Sequence, residues 1–343
     1  MKKALVLLLL LAPALLIMAQ DKKNLYMTKT LSSDGIKNVE MQTSGGSLSV
    51  DAVAGSEARL EVYISGNNDN DLSNEEIKQR LEEKYDLTVT VSNNKVTAIA
   101  KPKSKITDWK RALNISFKAY VPKNVSTDLS TSGGSISLTG ISGNQDFSTS
   151  GGSLHVDGVS GKINGRTSGG SIHLNNSTDD IELTTSGGSI TAKNSSGKLR
   201  LTTSGGSLDL QDLKGDIKAT TSGGGIRGGK ISGELSAHTS GGSINLDALA
   251  CSLETSTSGG HIDVSIVSLG KYVKIHNSGG NIDVTMPRGK GLNLDLSANK
   301  IKTNSLSNFN GKADDDRIAG TMDGGGIPVD IKSGSGRLSI AFK

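Results

Sequence analysis

The chain reads as an all-β protein: a parallel β-solenoid of 18-residue, two-strand coils with a small α+β cap at its N-terminal side. Three observations lead there. Gly-Gly pairs recur at Gly133-Gly134, Gly151-Gly152, Gly169-Gly170, Gly187-Gly188, Gly205-Gly206, Gly223-Gly224, Gly241-Gly242 and Gly259-Gly260, in equal steps of 18 residues. A ninth pair, Gly279-Gly280, follows after 20. Two residues after each of the eight pairs stands an apolar residue (Ile136, Leu154, Ile172, Ile190, Leu208, Ile226, Ile244, Ile262), and a further apolar column runs Ile163, Ile181, Leu199, Ile217, Leu235, Leu253. Apolar residues two apart with polar residues between them are the signature of a half-buried strand. A unit of two short strands cannot bury its own apolar face, so copies must stack, each about 4.8 Å above the last. About nine coils are expected, roughly 40 Å of solenoid at that spacing.

The elements follow in chain order. Met1-Lys2-Lys3, an apolar stretch from Ala4 to Met18 and the small Ala19 form the pattern of a secretory signal peptide over residues 1–20. The apolar run is short for a spanning helix, which needs roughly 20 residues. Residues 21–127 break the period and are expected to form an α+β cap. An isolated copy of the repeat, Thr43-Ser44-Gly45-Gly46-Ser47-Leu48, lies within them. Ser73 and Glu76 make a capping box, and Ile77, Leu81 and Tyr85 follow at helical spacing, which predicts a helix from about Asn74 to Lys84. Strands are expected at Leu87–Val91, Val96–Ala100 and Ile115–Val121, with a turn at Asn93-Asn94. The solenoid proper is assigned to residues 128–290. Residues 291–343 are read as irregular last coils, with Gly325-Gly326-Ile327 and Gly334-Ser335-Gly336-Arg337-Leu338 as degenerate motif copies.

Within a coil, Gly-Gly marks a tight bend, where positive φ or close backbone approach is required. A second bend glycine recurs at Gly143, Gly161, Gly197, Gly215 and Gly233, and Cys251 fills the same slot as a small residue. Outward columns alternate in charge: Lys162, Asp180, Lys198 and Asp216 in successive coils, and Glu182 beside Arg200. Opposite charges on adjacent strands contribute roughly 0.2–1 kcal/mol each. The motif departs at Thr221-Ser222-Gly223-Gly224-Gly225 and at Asn277-Ser278-Gly279-Gly280-Asn281, marking a side-chain gap and an irregular coil.

Composition excludes several function classes. Glycine is abundant, 44 of 343 residues, but lacks a three-residue period, so the chain is not collagen-like. A single Cys excludes a disulfide framework and a cysteine zinc cluster. A formal charge of +4 is too weak to argue for nucleic acid or an anionic membrane.

Candidate chemistry is sparse. Calcium-binding solenoids place Asp at a fixed offset from Gly-Gly, which no coil here does. Asp69-Asn70-Asp71 resembles the opening of an EF-hand loop, but Arg80 stands where the bidentate Glu belongs. Asp314-Asp315-Asp316 reads as a solvated loop. His155 and His173 share an outward column one coil apart and read as surface histidines, with no further metal ligand evident. Asp247, Asp263 and Asp283 are a loose acidic group, short of the paired carboxylates a glycosidase needs. No Ser-His-Asp set or phosphate loop is discernible. The threonine column Thr131, Thr149, Thr167, Thr185, Thr203, Thr221, Thr239, Thr257 is read as inward-pointing and bonded to backbone, not as an ice-binding array; the outward Thr184, Thr202 and Thr220 make only a short row. No catalytic, cofactor or metal residues are therefore assigned.

The leader, the α+β segment and the recurring Thr-Ser-Gly-Gly-Ser-Ile/Leu resemble the bacterial putative-adhesin families of exported β-strand-repeat proteins, first grouped as domains of unknown function and common in Bacteroidetes-like Gram-negative bacteria. The resemblance covers about residues 40 to 340. It implies a β-solenoid exported to the periplasm, cell surface or medium, and it carries no catalytic residues to transfer. The expected function is non-catalytic, adhesin-like binding through extended polar faces, with a glycan or surface protein as partner and no nucleic acid. The alternatives are a structural or stress-related envelope protein without a ligand and a polysaccharide-active β-helix enzyme.

Overall fold

A computed structural model describes residues 24–31, 35–67, 72–105, 108–304 and 306–343. The signal-type leader and the Asp69-Asn70-Asp71 motif lie outside these residues. The described chain is almost entirely β, with one α-helix, Asn74–Lys84. Each coil contributes a short strand after Gly-Gly, such as Ile136–Thr139, and a longer one, such as Ser142–Thr149. In the regular coils short strands pair in parallel with short and long with long, so two sheets run side by side, and at Ile244–Thr257 the two strands of a coil run on as one. The register steps by one repeat: Leu154↔Ile172 in the short-strand sheet, Ser160↔Thr178 in the long-strand sheet. Apolar residues face inward between the sheets, with Ile163, Ile181, Ile217 and Leu235 fully buried. Packing is complementary between coils. A Cβ at Gly165 would lie 2.6 Å from the Phe147 ring and 2.8 Å from Leu183, so the glycine admits the one large aromatic of the neighbouring coil.

The bend is built from threonine and glycine together. Thr149 Oγ1 donates to the Gly134 carbonyl of the preceding coil at 2.8 Å and accepts from the Gly152 amide of its own coil at 3.3 Å. The same pair of bonds recurs from Thr167, Thr185, Thr203, Thr221, Thr239 and Thr257. The inward threonine column is thus a hydrogen-bonded spine, as its alternation predicts. Thr203→Val is expected to cost about 1–3 kcal/mol, because a buried carbonyl and amide lose their partner. Thr203→Ser keeps the hydroxyl and loses one methyl, about 0.8 kcal/mol. Urea unfolding of the two variants side by side checks this.

The coil at Gly279-Gly280 is less irregular than its sequence suggests. Asn277 takes the threonine role, its Nδ2 donating to the Gly260 carbonyl at 2.7 Å and its Oδ1 accepting from the Gly280 amide at 2.9 Å. The two extra residues are absorbed upstream, where Leu249 pairs with Ile266 after a register shift and Leu253 pairs with Val273.

Both ends of the solenoid depart from simple stacking. Asn38–Gln42 and Leu48–Ala52 form a regular coil that contains the early motif copy. It lies between Lys95–Pro102 with Leu113–Val121 on one side and Ser126–Thr131 with Ile136–Thr139 on the other. The helix and its strands are therefore an excursion from the solenoid, and the segment Asn38–Ala52 that precedes them is tucked inside it. At the far end, Ile327–Ser333 and Arg337–Phe342 insert between the coil Val273–Asn277 with Ile282–Met286 and the coil Leu292–Ser297 with Lys300–Thr303. The bend motif there is Gly334-Ser335-Gly336: Ser333 Oγ donates to the Gly280 carbonyl and accepts from the Gly336 amide. Gly325-Gly326, read from the sequence as a degenerate copy, is instead a turn with φ of +79° and +153°. Outermost, antiparallel hairpins close the long-strand sheet: Tyr85–Ser92 on Lys95–Pro102, and Phe309–Ala313 on Arg317–Met322. An open, regular edge would template association, and hairpins with mostly exposed outer residues avoid it.

The helix begins as the capping box predicts. Ser73 Oγ accepts the Glu76 amide at 3.2 Å, and Ile77 and Leu81 are buried against the strands beside it. The Glu76 carboxylate does not close the box; it pairs with Arg80 one turn on. The turn Asn93-Asn94 has φ of +50° and +59°, joining the paired strands Tyr85–Ser92 and Lys95–Pro102.

Candidate functional site

Two outer faces carry the protein's polar chemistry, and strand alternation decides which residues reach them. On the short-strand face one column runs His155, His173, Thr191, Asp209, Arg227, Asn245, Asp263, Asp283 in successive coils. A second column, two residues on in each strand, holds Asp157, Asn175, Lys193, Gln211, Gly229 and Asp247.

The sequence candidates fall on this lattice as follows. The His155 and His173 rings stack with centroids 5.1 Å apart and planes within 10°. Partial burial and then the neighbouring His173 charge push the His155 pKa down, so the pair resists double protonation. Asp263 and Asp283 are register neighbours, and Asp283 lies 3.2 Å from His261. Asp247 belongs to the other column. The three carboxylates therefore do not converge; Asp247 and Asp263 border one depression and Asp283 does not. Among the described residues no group of His, Cys, Asp and Glu has the arrangement of a metal site. Asp314, Asp315 and Asp316 form the turn between the last antiparallel strands, with Asp314 2.7 Å from Lys312. Thr184, Thr202 and Thr220 face outward in register, and the row ends at His238.

Cys251 occupies the bend-glycine slot opposite Gly233 and is buried. Burial pushes its thiol up to about 12. A thiol with so little thiolate is a poor nucleophile. Alkylation with iodoacetamide is expected to be negligible in the native protein and complete in denaturant, read by intact mass. Rapid native alkylation would contradict this assignment.

Three features escaped sequence reading. His238 is half-buried on the long-strand face between two serines: Nε2 lies 2.8 Å from Ser236 Oγ and Nδ1 2.8 Å from Ser256 Oγ. Burial lowers its pKa. Each ring nitrogen has a serine partner, and Glu254 lies near enough to oppose the lowering. Glu40, Asp128 and Asp146 line up in adjacent coils of the same sheet and border a groove of about 340 Å³ with Lys95 and Lys162. Lys95 sits 2.9 Å from Glu40, and its hydrogen bond holds the Glu40 carboxyl below the usual range. On the short-strand face, Arg227 stands between two depressions of about 370 and 340 Å³. All of these depressions are open to solvent and cross several coils. They suit the lateral docking of an extended ligand more than enclosure of a small one.

No protein-family model matches the chain, and no curated protein matches it. Two solved structures are similar over most of their length. One, described as a "putative cell adhesion protein" from Clostridium sporogenes, is 12% identical, with 92% of this chain and 98% of that chain covered and a TM-score of 0.21. The other, described as a "putative adhesin" from Bacteroides fragilis, is 10% identical, with 92% and 96% covered and a TM-score of 0.28. So distant a likeness carries no argument about what this chain binds. The resemblance to a named repeat family has no family match behind it.

Proposed function

We propose that this chain is a non-catalytic, exported binding protein of adhesin type that engages a glycan or a surface protein through its outer β-faces. The observation that supports this best is the character of those faces. Side chains of both charges, amides and hydroxyls repeat at coil spacing along both sheets, and the depressions between them are open grooves that cross coils. Aromatic residues are only 3% of the chain, so contacts would be polar and individually weak, and affinity would come from many coils acting together.

The test is retention of the purified protein on arrays of immobilised glycans and extracellular-matrix proteins, with product analysis of every bound polysaccharide. Specific retention without cleavage is expected. Cleavage abolished by Asp247→Asn with Asp263→Asn would replace this reading with the polysaccharide-active one. No retention on any surface would overturn it in favour of a structural envelope role. Export is tested separately, by locating the full-length chain and a chain lacking residues 1–20 after cell fractionation.

A further inference from the structure

The coil that breaks the motif at Gly225 interrupts the short-strand face twice. Its neighbours carry Ser207 and Ser243 where it has Gly225, and Gln211 and Asp247 where it has Gly229. Between the two glycines stands Arg227, exposed, flanked in its own column by Asp209 and Asn245. Its guanidinium forms no hydrogen bond or ion pair among the described residues. The depressions of about 370 and 340 Å³ on the short-strand face lie on either side of it and share Arg227 and Asn245.

Loss of the serine has a second consequence. In several coils the serine hydroxyl accepts the backbone amide of the next coil: Ser135 from Ser153 at 3.1 Å, Ser171 from Ser189 at 3.3 Å, Ser189 from Ser207 at 3.1 Å and Ser243 from His261 at 3.2 Å. Gly225 has no hydroxyl, so the Ser243 amide above it has no such acceptor. A Cβ added at Gly225 would lie 3.0 Å from the Ser243 carbonyl oxygen and 3.8 Å from its nitrogen, so the space vacated adjoins the Ser243 backbone, its carbonyl oxygen first and its N–H next. The solvent-exposed Ser243 N–H and the unpaired Arg227 guanidinium border one depression, and both are donors.

We propose that this notch binds a carboxylate-bearing sugar, with the carboxylate on Arg227 and the Ser243 amide and the ring hydroxyls on Asn245, Asp209 and Gln211. The inference rests on the adhesin reading and names its ligand class. A planar guanidinium matches a carboxylate with two parallel hydrogen bonds. The surrounding acids decide what else the ligand carries. Asp209, Asp247 and Asp263 accept hydroxyls readily but repel further negative charge. One anion among many hydroxyls describes a uronate or sialate residue, whereas a nucleic acid, a densely sulfated chain or an acidic peptide brings several charges.

The experiment titrates the full chain with glucuronate-terminated and N-acetylneuraminate-terminated oligosaccharides and with their neutral methyl esters, by calorimetry and on the same array. Either acidic form is expected to bind, and the two arms tell uronate from sialate. The methyl esters are expected to bind at least about tenfold more weakly, as is Arg227→Gln, since each removes a charge-assisted pair. Gly225→Ser restores the repeat and refills the notch. It is expected to fold as the wild type and to lose binding to a similar degree, which separates a site effect from misfolding. Equal binding of acid and ester, or wild-type binding by both variants, overturns the assignment. Retention of neutral glycans or proteins alone overturns it while leaving the adhesin reading in place. Retention of nothing overturns both.

Discussion

Gly188→Ala is expected to destabilise the protein severely, whereas Gly187→Ala next to it is expected to be mild. The difference comes from close approach, since neither glycine has a positive φ. A Cβ at Gly188 would lie 2.0 Å from the Gly170 carbonyl oxygen and 2.4 Å from its carbonyl carbon, both backbone atoms. At Gly187 the nearest atom is 3.5 Å away, an ordinary contact. The second glycine of each Ser-Gly-Gly motif sits in this position, from Gly46 through Gly134 to Gly280, and Gly336 continues the line. An added methyl therefore meets the adjacent coil and cannot be relieved by a rotamer change. Overpacking typically costs 1–3 kcal/mol, and because rigid backbone on a neighbouring coil must move here, about 3 kcal/mol or more is expected for Gly188→Ala. The same shift strains the threonine bond from Thr203 to Gly188. Since each coil contacts only its neighbours, damage at one interface divides the stack. Thermal unfolding of the two variants checks this. A Gly188→Ala protein as stable as Gly187→Ala would contradict the close-approach account.

The repeat made most of this legible in sequence. A strict period places like residues in register, so the inward threonines, the glycine line, the Cys251 slot and the charge columns are legible in the repeat itself. The helix was legible because capping is local, settled within Ser73 to Glu76. What escaped depends on contacts between distant segments, or on substitutions that keep a role while changing a residue. Asn277 and Ser333 replace the spine threonine with other donor–acceptor groups, so a search for Thr misses them. Asp179 holds a bend-glycine slot at φ +87° and accepts the Gly161 amide through its carboxylate, a combination no glycine pattern reveals. The gap at Gly225 was visible as a broken motif. That Gly229 opens a second gap across Arg227, beside the exposed Ser243 amide, follows only from the ladder geometry. Nearness in sequence groups Asp247 with Asp263 and Asp283, yet it occupies a different column.

The intercalated ends were the least legible feature, because periodicity says which segments are coils and not the order in which they stack. They also carry the second large prediction. Deleting residues 324–343 is expected to unfold more chain than it removes. In a simple stack, loss of the last coil exposes one edge and leaves the rest paired. Here the deleted coil is the floor on which an earlier one lies. Leu292–Ser297 pairs on one side with Ile327–Ser333 and on the other with Arg317–Met322, and Lys300–Thr303 pairs with Arg337–Phe342. Without the tail, the region 291–322 has no solenoid to rest on, and Val273–Asn277 and Ile282–Met286 become an open edge. The tail also contributes Val329, Ile331, Leu338, Ile340 and Phe342, all buried, to the core. At roughly 1.5–3 kcal/mol for each fully buried side chain, the lost burial is on the order of 10 kcal/mol before the regained chain entropy is counted. Hydrogen exchange of the truncated chain is expected to show loss of protection throughout 291–322, while the coils from Ser126 to Thr257 keep theirs. Protection retained across 291–322 would mean that this segment stacks without the tail. The same order of closure at the N-terminal end, where Asn38–Ala52 lies inside the coil that follows it in sequence, means that neither outermost coil can be completed until a distant segment has been threaded beneath it.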